Sequence, residues 1–142
     1  MDATLRCWQV GLSSLVLSIL FLLSHQWWGM EQTLFAFGVL FLFGFAMSIT
    51  IGMMYKIVPF LIWFHRFSSL VGKVKVPLLK DILPDSLARR QGKTFVLTGL
   101  VVLAGIGSGQ DWVFRAGGVL MVVTSVFLFL NLTIAIRSKP NL

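Results

Sequence analysis

The chain has 142 residues, of which 57% are apolar and only 12% charged, and its mean hydropathy is +0.90. Soluble domains carry about a quarter charged residues, so this composition excludes an ordinary soluble protein and points to an integral membrane protein. The formal charge of +7 is read as a signal of membrane topology and anionic-lipid contact, with no nucleic-acid partner.

In chain order, apolar stretches occupy residues 10–24, 33–64, 94–106 and 112–136. A helix needs roughly 17–25 residues to span a bilayer. The pattern predicts an all-α fold of one membrane domain with four transmembrane helices, at about 8–25, 33–56, 94–110 and 112–136, and an interfacial loop over 57–93. Arg6 precedes the first apolar stretch, but no small-x-small cleavage site follows it, which predicts an uncleaved first span. Cys7, the single cysteine, is expected to be a small packing residue.

The second stretch is too long for one crossing. From residue 33 to 64 a helix would measure about 48 Å, against a hydrocarbon core of about 30 Å. Lys56 can snorkel into headgroups, and Pro59 removes a backbone donor and biases Val58 away from helix. These two residues are expected to mark the exit from the bilayer. The stretch "FLIWFHRF" would then continue as a kinked or interfacial piece anchored by Trp63. Within the crossing, Gly44, Ser48 and Gly52 recur every four residues and form one small-residue face suited to close helix packing. A partner subunit is the expected occupant of this face. Packing against the chain's own first or fourth span is the alternative.

In the loop, "VPLLKDILPDSLARRQGK" predicts a membrane-surface element bounded by Pro77 and Pro84, in which Asp85 caps a short turn that carries Arg89 and Arg90 and stops at Gly92. The third span is the shortest, and a re-entrant hairpin competes with a full crossing there. In the fourth span Asn131 is expected to hydrogen-bond to another helix, because an amide in hydrocarbon needs a partner. The "NLT" at 131–133 is therefore not a glycosylation site.

Sorting the basic residues fixes the expected orientation. Arg6, Lys56, Arg66, Lys73, Lys75, Lys80, Arg89, Arg90, Lys93, Arg137 and Lys139 fall on one side, and only Arg115 on the other. The positive-inside rule then makes both termini and the long loop cytoplasmic. Trp8 and Trp63 fall at the expected inner boundary, and Trp27, Trp28 and Trp112 at the outer one, where indoles concentrate.

Chemistry-bearing motifs are sparse. There is no Ser-His-Asp set, carboxylate pair or zinc-protease helix, and "GIGSG" at 105–109 follows a membrane span, not the strand that a phosphate loop requires. His65 is the one candidate cofactor ligand, with Met53 or Met54 as a soft partner for haem; headgroup hydrogen bonding is its simpler role. His25 with Glu31 makes too thin a set for a metal site, and no metal is expected.

The string "GMMYKIVPFLIWFHR" at 52–66, followed by "VPLLKDILPD", resembles a C-terminal segment of bacterial polytopic membrane proteins related to haem-copper oxidase subunit I. The resemblance covers about residues 44 to 92. It is carried by Gly52, Met53, Tyr55, Lys56, Ile57, Pro59, Phe60, Leu61, Trp63 and His65. It implies a location in the bacterial inner membrane and a place in electron transfer. The oxidase-like proteins use several histidines within the spans, whereas this chain has two near opposite boundaries. The expectation is therefore a non-catalytic accessory or structural subunit with no cofactor of its own, partnered by larger membrane subunits. A haem- or copper-binding protein using His65, with a homo-oligomer bringing further ligands, is the alternative. A small transporter or channel is a second alternative, disfavoured because Lys56 is the only ionisable residue near a span interior and intramembrane pathways usually show more.

Overall fold

The computed structural model describes residues 3–72, 76 and 78–137. Lys73, Lys75, Pro77 and Lys139, which entered the orientation and loop expectations, lie outside the described residues. Among the described residues the fold is all-helical, with four helices long and apolar enough to cross a membrane. They are α1 (Ala3–Trp28), the composite helix Glu31–Leu70, α5 (Asp85–Ser108) and α6 (Asp111–Arg137).

The composite helix runs as α2 (Glu31–Val39), a π-helical segment (Leu40–Met47), α3 (Ser48–Phe67) and a 3-10 turn (Ser68–Leu70). It passes through Lys56 and Pro59 without a break. Proline at 59 deprives the Tyr55 carbonyl of one helical donor. The loss of one bond does not end the helix, because Tyr55 and Pro59 are both buried against the rest of the molecule. The stretch expected as a kinked or interfacial piece is thus helical as far as Leu70.

After that turn comes the short helix α4 (Leu79–Ile82). Asp81 Oδ2 accepts the Leu78 backbone N–H at 2.9 Å, and the Leu78 carbonyl accepts the Asp81 N–H. Ile82 and Leu83 are buried in the core with Phe67, whereas Leu78 and Leu79 are exposed. The apolar face of this element is thus divided between protein and surroundings. Asp85 opens α5, and Gly92 does not stop it. A helical glycine costs only about 1 kcal/mol relative to alanine, and Ala88, Gln91 and Phe95 bury the helix on both sides of it. The third apolar segment is one continuous helix of 24 residues, not a re-entrant hairpin.

Both tight connections depend on left-handed glycines. Gly29 (φ 62°) links α1 to α2, and its N–H donates to the His25 carbonyl at 2.8 Å. Gly109 (φ 64°) links α5 to α6, and its N–H donates to the Gly105 carbonyl at 3.2 Å. Few other residues adopt this backbone without strain.

Polar side chains are buried inside the bundle while large apolar ones cover much of its outside. The largest fully buried side chains are Gln91, Asn131, Thr98 and Ser18, while leucine, valine and phenylalanine dominate the exposed surface. Within the four apolar windows only 17–28% of residues are buried. This distribution fits a multi-pass membrane protein, in which lipid solvates the apolar exterior and helices associate through small and polar groups. The apolar core that does form joins Phe43, Ile51, Tyr55 and Phe95 to Ala135, with the Phe43 and Phe95 rings stacked at 4.4 Å.

Candidate functional site

The face made by Gly44, Ser48 and Gly52 is occupied by α1. A Cβ at Gly44 would lie 2.6 Å from Ser14 Cβ, and one at Gly52 would lie 2.9 Å from Cys7 Cβ. Ser48 Oγ donates to the Cys7 carbonyl at 2.8 Å. From the other helix, a Cβ at Gly11 would meet Ile49 at 3.0 Å. The stripe is a seam within the chain, so the partner docking expected on this face is corrected. Close backbone approach left room for only one neighbour, and the first span takes it.

Three interhelical polar contacts tie the remaining helices together. Asn131 Nδ2 donates to Tyr55 Oη at 2.9 Å, linking α6 to α3, the interhelical role expected of Asn131. Gln91 Nε2 donates to the Thr124 carbonyl at 2.9 Å, and the Thr98 and Thr124 hydroxyls lie 3.2 Å apart. Gln91 Oε1 is buried without a partner. The signal was present in the sequence: Gln91 and Thr98, like Thr124 and Asn131, are spaced seven apart and so share a helix face.

The remaining site residues separate. Lys56 is exposed, Pro59 is buried, and Trp63 is half-buried against the core. His65 is exposed on α3, and its Nδ1–H donates to the Leu61 carbonyl at 3.2 Å. His25 Nδ1 donates to the Met30 carbonyl at 2.9 Å and lies 3.0 Å from Thr33 Oγ1, closing the first turn. Thr33 and His65 stand at opposite ends of the composite helix, roughly 48 Å apart along its axis. Met53 and Met54 are three turns from His65 on that helix, about 16 Å away. One chain therefore does not bring two of these ligands to one haem iron. Among the described residues no three of His, Cys, Asp and Glu converge.

A concavity with charged side chains lies between α1 and α5. A cleft of ≈ 340 Å³ has Arg6 and Cys7 on one wall, Arg89, Lys93 and Leu97 on the other, and Ser48 at its floor. A second cleft, of ≈ 200 Å³, shares Val10, Phe95, Val96 and Leu100 with the first and extends past Gly99 to Leu17 and Leu103. The two make one groove, basic at one end and apolar along its length. The sequence marks these cations for topology and anionic-lipid contact in general, but nothing local shows that α1 and α5 bring Arg6, Arg89 and Lys93 to one groove.

No protein-family model, curated protein or solved structure matches the chain.

Proposed function

We propose that this chain is a multi-pass bacterial inner-membrane protein, with both termini cytoplasmic, that serves as a non-catalytic accessory or structural subunit of a respiratory or related electron-transfer complex. The orientation rests on the one-sided basic residues. The role rests on the string that resembles haem-copper oxidase subunit I and on the use this chain makes of it. Gly52 abuts Cys7, Tyr55 accepts from Asn131, and Pro59 is buried. The string's inward residues pack helices together, which is the single observation that carries the reading. Larger partner subunits would meet the exposed apolar flanks of the bundle, since the Gly44 face is covered.

One observation favours a second reading, haem binding through His65. Its Nδ1–H is held by a carbonyl, and this selects the tautomer in which Nε2 is the unprotonated, ligating nitrogen. A second copy would have to supply the other ligand.

Purification of the full chain from its native membrane in mild detergent tests both readings. The subunit reading expects a stoichiometric set of larger membrane proteins and no Soret band from the isolated chain. A haem spectrum lost in His65→Ala would overturn it and establish the second reading.

A further inference from the structure

We propose that the groove between α1 and α5 is a site for one anionic phospholipid, with the phosphate at Arg6, Arg89 and Lys93 and one acyl chain along Val10, Val96 and Leu100. This rests on the helices crossing a bilayer and is independent of the subunit role.

The groove is divided as a phospholipid is divided. Its three cations come from two helices and stand at one end, and no carboxylate is among the described residues lining it. Guanidinium groups hold phosphate oxygens through paired N–H donors, and a lysine adds a point charge. Beyond the cations the walls are mainly apolar, and of the serines that line them Ser48 is committed to the Cys7 carbonyl and Ser13 to the Gln9 carbonyl.

The dimensions agree. From Arg6 to Leu17 is about 16 Å of helix, and from Arg89 to Leu103 about 21 Å. One leaflet is half of a hydrocarbon core of about 30 Å, so the groove runs for about one acyl chain. The clefts, of ≈ 340 and ≈ 200 Å³, suit a hydrocarbon chain.

The test is native mass spectrometry of the full chain in mild detergent, offered equal amounts of phosphatidylglycerol and phosphatidylcholine with the same acyl chains. The expected result is one retained phosphatidylglycerol, favoured at least tenfold over phosphatidylcholine. The triple variant Arg6→Gln, Arg89→Gln, Lys93→Gln should lose that preference. A second triple variant, Lys56→Gln, Arg90→Gln, Arg137→Gln, removes the same charge away from the groove and should keep it. Val96→Trp, which fills the groove and spares the cations, should retain neither lipid. Equal loss in both triple variants would reduce the binding to diffuse charge and overturn the site. Full retention of phosphatidylglycerol by Val96→Trp would remove the acyl-chain part and overturn it equally. Cross-linking of Cys7 to Cys7 between two copies in membranes would show that a second copy covers the groove, and would also overturn it. Retention of every variant in alkali-washed membranes separates these outcomes from failure of the bilayer reading itself.

Discussion

Helix α5 meets two neighbours in opposite ways. Toward α6 it forms a dry seam in which a Cβ at Gly105 would lie 2.9 Å from the Phe114 backbone nitrogen, and a Cβ at Gly117 would lie 2.6 Å from Val102. Toward α1 it presents Arg89, Lys93, Val96 and Leu100 across an open groove, and a Cβ at Gly92 would meet nothing within 4 Å. The difference follows from where the small residues lie. In lipid, apolar area alone gives helices little reason to associate, so contact follows the faces where backbones can approach. The closest approaches of α1, at Cys7, Gly11 and Ser14, are made to the composite helix, and toward α5 its Arg6, Val10 and Leu17 line the open groove.

Three substitutions break or sharpen this contrast. Gly105→Leu should have the largest effect, at the upper end of the about 1–3 kcal/mol typical of overpacking, because the obstacle is backbone and cannot swing aside. The check is the thermal midpoint of the purified protein in detergent together with its abundance in membranes. A wild-type midpoint would mean that the α5–α6 seam is looser than described. Gly44→Ala should cost less, about 1–2 kcal/mol, since its obstacle is the short Ser14 side chain. Adding Ser14→Gly should restore at least half of the lost midpoint, and failure of that rescue would place the contact elsewhere. Gly92→Ala should have the smallest effect and the opposite sign, a gain of about 0.4–1 kcal/mol from reduced freedom of the unfolded chain at an unobstructed helical site. A lowered midpoint would show that the groove closes over Gly92.

Much of the fold was legible because its periodic and apolar signals are local. The four helices follow from stretch lengths, and the left-handed turn at Gly109 falls where the apolar pattern pauses. That the second helix runs unbroken past Lys56 and Pro59 was not legible. Helix-breaking tendency is a local term, and the burial of Tyr55 and Pro59 that outweighs it comes from distant segments. The stop expected at Gly92 failed for the same reason. The Gly44–Ser48–Gly52 face was recognisable as a place of close approach. Which helix approaches it was not, because small residues permit contact without naming a partner.

By itself the sequence determined an all-helical chain with four apolar segments of membrane-spanning length, a one-sided distribution of cations and a small-residue face on the second long helix. These depend on composition, period and order, which one dimension carries in full. Tertiary structure decided that α1 fills that face, that Asn131 reaches Tyr55 and Gln91 reaches Thr124, and that Arg6 stands across a groove from Arg89 and Lys93. Those pairings join residues tens of positions apart, and they arise only when helices compete for the few faces on which backbones can come close.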